Sequence, residues 1–240
     1  MKQKIKGFTL VEMAIVMVII GFIVGGVLVG KDLIREAELK SVVQDVQNYK
    51  TAVGTFQIKY LALPGDMVNA FDFWNPNCGT DALAPAGCNG DSDGRVEIGG
   101  ENLRAWQHLS LSGILDNTYT GVKRSTTPPA SNDGDILAGE NVPASKISGA
   151  AFGFYYNTGV YGREGNYFEF GQGTGNRADS GIIPAREASV IDQKVDNGLA
   201  DSGSIVANDN NCVTGTALTA PATYTFGGGD KACALIFWYE

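Results

Sequence analysis

Residues 13–30 form an unbroken apolar run of eighteen positions without a charge on any side. At 1.5 Å per residue a helix of that length spans about 27 Å, enough to cross the hydrocarbon core of a bilayer. Beyond Gly30 the apolar positions thin to a stripe. Leu39, Val42, Val43, Val46, Tyr49, Val53, Phe56 and Tyr60 recur at intervals of three and four, with polar and charged residues between them. That spacing predicts an amphipathic continuation of the same helix. The first stop signal is Leu63-Pro64-Gly65, so one helix is expected over residues 8–59, about 75 Å long. Its first half is apolar all round, whereas its second half needs a partner surface on one side only.

After the proline the period changes. Ala151-Phe152-Gly153-Phe154-Tyr155-Tyr156, Tyr167-Phe168-Glu169-Phe170, Thr223-Tyr224-Thr225-Phe226 and Ala234-Leu235-Ile236-Phe237-Trp238-Tyr239 are aromatic, favour strands and are separated by glycine and asparagine. They predict an antiparallel sheet. Its aromatic residues are expected to pack on the amphipathic helix rather than form an open platform for sugar rings. Residues 101–109 read as a short helix with Leu103, Trp106 and Leu109 facing inward. The expected fold class is α+β: a long N-terminal helix, membrane-spanning in its first half, packed by its second half on an antiparallel β-sheet head. The chain divides into residues 1–7, an apolar segment 8–30, an amphipathic segment 31–60 and a head of residues 61–240.

Charge is distributed as unevenly as hydrophobicity. The whole chain carries 18 basic and 26 acidic residues, a balance of −8. Lys2, Lys4 and Lys6 sit in the first seven positions, and the helix to residue 60 is balanced, so the acidic excess lies on the head. A head of that sign is a poor surface for nucleic acid, and no direct nucleic-acid binding is expected. The basic start predicts that the amino end stays in the cytoplasm and that the rest of the chain is exported. An ordinary signal peptide is disfavoured on two grounds. No small-x-small cleavage site follows the apolar run, and Glu12 stands inside the membrane-length segment, where an ionisable group normally has a dedicated partner.

The run Lys6-Gly7-Phe8-Thr9-Leu10-Val11-Glu12, followed by a long apolar helix, resembles the prepilin processing site of type IV pilins and type II secretion pseudopilins. The resemblance is specific over residues 1–60 and weaker in the head. It implies that a prepilin peptidase cuts between Gly7 and Phe8 on the cytoplasmic side and methylates the new amino end at Phe8. Glycine at the cut suits an extended backbone entering a cleft closely. It also implies that Glu12 pairs with the amino group of a neighbouring pilin or pseudopilin subunit, which compensates its charge among packed helices. On that reading the chain is a structural subunit, minor or specialised given its large head, of a type IV pilus or secretion pseudopilus. It begins as a single-pass inner-membrane protein with a periplasmic head and ends in a pilus, pseudopilus or cell-surface fibre. Gly21, Gly25, Gly26 and Gly30, spaced as Gly-x-x-x-Gly pairs, would allow close helix packing there or equally loosen the helix, each interior glycine costing up to about 1 kcal/mol relative to alanine.

Four cysteines in an exported head allow three connectivities, of which local pairing, Cys78 with Cys88 and Cys212 with Cys233, is the expectation. The second loop resembles the one that closes the sheet of many type IV pilins. Between Cys88 and Glu101 the chain carries its most chemical stretch. Asn89, Asp91 and Asp93 at alternate positions, then Gly94, reproduce the first half of a calcium loop, with the Arg95 carbonyl as a further oxygen. Gly100 stands where the closing acid belongs, which leaves Glu97 or Glu101 to close the site. The same residues also build solvated turns. Calcium sites in several pseudopilin heads add weight to Ca2+ as the cofactor. His108, the only histidine, has no hydrolase elbow beside it and is read as structural or surface. Ile191-Asp192-Gln193-Lys194-Val195-Asp196-Asn197-Gly198 resembles a stretch of some large pilin-like proteins, with carboxylates suited to capping a helix or binding a cation. No enzyme motif emerges. The competing reading is a membrane-anchored exported head that binds a ligand or catalyses a reaction without polymerising.

Overall fold

The computed structural model describes residues 8–75, 77–78, 88–122, 136–159, 162–208, 212–214, 222–226 and 233–239. Its elements follow the α+β order expected from the pattern: α1 (Leu10–Tyr60), α2 (Ala70–Trp74), α3 (Glu101–Leu111), β1 (Ala150–Thr158), β2 (Glu164–Thr174), β3 (Arg177–Ser180), α4 (Ala185–Val195), β4 (Ile205–Asn208), β5 (Val213–Thr214), β6 (Thr223–Tyr224) and β7 (Ala234–Trp238). Two compact units are distinguished, residues 1–40 and residues 41–240.

In the first unit α1 is a bare apolar helix. An eighteen-residue window of mean hydropathy 2.8 has none of its residues buried. Leu, Ile, Val and Met side chains cover its whole circumference, a surface that water does not tolerate and a bilayer or a bundle of like helices does. From Lys31 onward charges return, and Arg35 pairs with Glu38 at 2.9 Å and Lys40 with Glu36 at 3.4 Å.

In the second unit the remainder of α1 buries the face that the sequence assigns to it. Val42, Val46, Ala52, Val53 and Phe56 are buried. Tyr49 meets Trp106 of α3 at 5.0 Å between ring centroids, Phe152 of β1 at 5.3 Å and Phe168 of β2 at 6.3 Å. Aromatic pairs at these edge-on and tilted angles add to the simple burial of their area. The helix stops after Tyr60, where Leu61 takes a left-handed turn at φ 57° and Pro64 follows.

The main sheet runs β1-β2-β7-β4 with every pairing antiparallel, and β3 continues the ladder on β2 past the end of β7. β5 and β6 form a separate two-stranded ladder. Phe152, Phe154, Phe168 and Phe170 point to the side of Tyr49, and Tyr155, Tyr167, Val206, Ile236 and Trp238 form a second buried cluster on the reverse. Both faces are therefore covered. That explains why the strands read as continuous aromatic runs rather than as an alternation of apolar and polar residues. Disulfides join Cys78 to Cys88 and Cys212 to Cys233.

Candidate functional site

Two places concentrate chemistry. The first is the amino-terminal turn of α1. Gly7 lies outside the described residues, while Phe8 is exposed. Thr9 precedes the helix, and its backbone N–H and hydroxyl both donate to Glu12 Oε2, at 2.8 and 2.9 Å. The Glu12 N–H donates back to Thr9 Oγ1 at 3.3 Å. This is a reciprocal cap of the Thr-x-x-Glu type, which satisfies donors that the first turn leaves without helical partners. The Thr-x-x-Glu signature stands in the sequence immediately before the apolar run.

The second place is a carboxylate cluster in the head. Asp66, Asp91 and Asp93 each bring one oxygen within 4.8 Å of the others. Sequence spacing identifies Asp91 and Asp93 but not Asp66, which comes from the turn after α1. Backbone hydrogen bonds hold the two segments together: Gly90 N–H donates to Met67 O at 2.9 Å and Ser92 N–H to Asp66 O at 3.0 Å. Asp93 and Gly94 N–H groups donate to the two Asp66 carboxylate oxygens at 3.1 and 2.9 Å. The approach is so close that a Cβ on Gly90 would lie 2.4 Å from Asp66 Cα and from Gly65 O. Only glycine fits there.

The other sequence-predicted ligands divide. Asn89 turns away, with its Oδ1 accepting from Phe71 N–H at the start of α2 at 2.8 Å. Arg95 donates its N–H to Asp93 Oδ1 at 2.8 Å and lays its guanidinium over the Tyr156 ring at 4.8 Å. Glu97 contributes its N–H rather than its carboxylate, donating to Glu101 Oε2 at 3.0 Å, while Asp91 N–H donates to Glu101 Oε1 at 3.3 Å. Glu101 thus clasps the loop from the first turn of α3. Burial, with the nearby Asp66 and Asp91 charges, pushes its carboxyl up to about 7 against the two N–H groups that favour the anion. Burial likewise raises Asp66, opposed by its three N–H donors.

Oxygens separated by up to 4.8 Å suit a hard cation, because two ligands on opposite sides of Ca2+ at about 2.4 Å lie about that far apart. Asp66, Asp91 and Asp93 retain lone pairs beyond those given to N–H groups, so the donor set fits calcium chemistry. Asn89 does not share in it.

His108 is fully buried beneath this loop. Its Nδ1 accepts from Gly65 N–H at 2.9 Å, and Nε2–H donates to Cys88 O at 2.9 Å. It braces the turn carrying Asp66 against the disulfide that precedes Asn89, and both ring nitrogens are committed to backbone. Arg104 and Gln107 hold the Cys78 carbonyl at 2.7 and 3.2 Å in the same manner.

The stretch from Ile191 to Gly198 resolves as loop capping. Asp192 accepts from Tyr224 OH and Gly198 N–H, and Asp196 Oδ2 from the N–H groups of Ser204 and Ile205.

Residues 2–28 match the family model described as the prokaryotic N-terminal methylation motif, the signature of type IV pilins and pseudopilins. No curated protein and no solved structure matches the chain.

Proposed function

We propose that the chain is a structural subunit, minor or specialised, of a type IV pilus or type II secretion pseudopilus. A prepilin peptidase removes residues 1–7 and methylates Phe8, and α1 then passes from the inner membrane into a fibre core of like helices. The observation that carries this reading is the methylation motif at residues 2–28, which runs into an apolar helix whose side chains have no cover of their own. That helix and motif fit membrane anchoring with an exported head. Helix-to-helix packing would keep the apolar surface from water at every stage, while Glu12, set against a neighbour's amino group, fixes register. The role is mechanical rather than catalytic. Mass spectrometry of the exported protein tests it: a methylated Phe8 amino end is expected, and an intact Met1 or a cut beyond Gly30 would overturn it.

We further propose that Asp66, Asp91 and Asp93, with Glu101 behind them, take Ca2+ in the exported protein. The convergence of three carboxylates from two chain segments favours this over a solvated turn. Calorimetric titration with calcium is the test, and no heat at millimolar metal would end the idea.

A further inference from the structure

We infer that a cleft in the head, where the end of α1 meets the carboxylate loop and the sheet, is a binding site for an uncharged saccharide of one or two rings. The inference goes beyond the fibre and calcium readings and needs neither of them. The cleft holds about 560 Å³, within the range of small-molecule sites, about 300–1,000 Å³. It lies wholly within residues 41–240. Part of its lining is apolar, supplied by Leu61, Ala62 and Leu63 as the chain leaves α1. The rest is polar: Gln57 of α1, Asn166 of β2 and Tyr239 after β7, with Asp66 and Ser92 at the loop.

The polar lining is fixed before any ligand arrives. Tyr239 OH donates to Gln57 Oε1 at 2.5 Å. Asn166 ties β2 to the loop, with Nδ2 donating to Gly94 O and Oδ1 accepting from Val96 N–H, each at 3.0 Å. Groups held in place lose little freedom on binding. Gln57 Nε2 and the Ser92 hydroxyl have no partner among the described residues and remain open to a ligand. Amides and hydroxyls present donor and acceptor together, as the hydroxyls of a sugar do, and the Leu61 side chain and Tyr239 ring can cover its C–H groups. No basic side chain lines the cleft. Arg95 is drawn over the Tyr156 ring at 4.8 Å and Lys59 over Tyr60 at 5.1 Å. A phosphate or uronic acid would thus meet carboxylates without a counter-charge. A cationic ligand finds the one lining carboxylate, Asp66, buried and committed to the N–H groups of Asp93 and Gly94.

Backbone conformation marks the same place. Leu61 at φ 57° and Ser92 at φ 65° are the two non-glycine residues with left-handed backbone among the described residues, and both line this cleft. Strained backbone of this kind collects where a surface is shaped for a ligand. Leu61 is also 91% exposed. A leucine that neither buries its side chain nor suits its own backbone serves the fold less well than glycine would, and a ligand that covers it supplies the missing contact.

The test uses the full chain in a detergent without a sugar head group. Ligand-observed NMR reads glucose, galactose, mannose, N-acetylglucosamine, cellobiose and lactose at millimolar concentrations, and at least one is expected to bind. Leu61→Gly relieves the backbone and is expected to unfold at or above the parental temperature while weakening that sugar about tenfold. Gln57→Ala, at a half-buried position of α1, reads the site independently and is expected to weaken it about fivefold. Silence across the panel overturns the inference. Binding that both variants leave at the parental level overturns it as well, because the sugar then sits elsewhere. Acetyl-trialanine amide that binds as tightly as the best sugar overturns the saccharide class. Glucuronate or glucosamine that binds more tightly than glucose overturns the argument from charge.

Discussion

Arg177 of β3 grips the fully buried carboxylate of Glu169 on β2, with Nη2 donating to Oε1 at 2.8 Å and Nε to Oε2 at 3.3 Å. Asn208 of β4 donates to the same Oε1 at 3.0 Å, and Arg177 Nη2 also reaches Tyr167 OH at 2.8 Å. One charge pair therefore fastens three strands on the side of the sheet away from Tyr49. A buried pair is costly to break from one side, because the survivor keeps its desolvation cost without its partner.

Arg177→Met should accordingly destabilise the protein by about 3–5 kcal/mol, measured by denaturant unfolding of the full chain in detergent. Burial already raises the Glu169 carboxyl, and the guanidinium is the main influence lowering it. The variant should therefore recover part of its loss at acid pH, where the lone carboxyl takes up a proton. The double variant Glu169→Leu, Arg177→Leu should lie closer to the parent than Arg177→Met does. A single variant at parental stability would show that the pair contributes nothing.

Gly90→Ala tests the seam between the two segments that carry the carboxylates. The added Cβ meets backbone at 2.4 Å, which no side-chain rotation relieves, so the loop must move away from Asp66. A loss of about 2 kcal/mol is expected, of the order seen when well-packed sites are overfilled. Calcium heat, if the parent gives it, should fall with it, because Asp66 no longer converges on Asp91 and Asp93. Wild-type calcium binding in this variant would remove Asp66 from the site.

Two groups under the same loop titrate in opposite senses. Glu101 is raised from 4.5 to about 7, so between those values the folded protein holds the proton more tightly than the unfolded chain, and this contribution to stability falls as pH rises. His108 is lowered from 6.5 to about 4, chiefly by burial and then by the Arg104 charge, against its bond to Cys88 O. There the unfolded chain binds the proton more tightly, so stability is lost as pH falls from 6.5 towards 4. In calcium-free buffer the two slopes oppose each other across that window. Glu101→Gln should tilt the pH–stability curve upward with pH relative to the parent, and His108→Gln should tilt it downward. Parallel curves for the three proteins would contradict both assignments.

What the sequence disclosed tracks the range of the interactions involved. The helix from Leu10 to Tyr60 was legible because its pattern is local and uninterrupted by proline. The inward face of α3 was legible in Leu103, Trp106 and Leu109, all buried, but the equally buried Arg104, Gln107 and His108 were not. Those polar groups are held by carbonyls of Cys78 and Cys88, partners about twenty to thirty residues away that no periodicity reports. β4 and β5 are short, and β3 carries Arg177 and Asp179, so none of them showed a strand signal. The carboxylate cluster was half legible for the same reason: Asp91 and Asp93 are neighbours in sequence, whereas Asp66 joins them only through backbone bonds across the fold. Asn89 fitted the spacing of a cation loop but serves the first turn of α2 instead. Spacing gives candidate donors, and the direction of each side chain is settled by what else lies within reach.

Glu12→Ala separates membrane residence from assembly. Alanine is the better residue in an apolar environment, so the variant should remain in the membrane at least as well as the parent, and its apolar window is unchanged. The capping bonds to Thr9 disappear with the carboxylate, a loss confined to the exposed first turn. That loss is too local to unfold a helix that continues to Tyr60, so cleavage after Gly7 and methylation of Phe8 should persist. Incorporation into fibres should drop well below that of the parent, since the Ala variant lacks the charge that is set against a neighbour's amino group. Quantifying sheared fibres against the membrane fraction for parent and variant side by side reads this, with the parent well above Glu12→Ala. An Ala variant that assembles as well as the parent would show that Glu12 is a helix cap and nothing more.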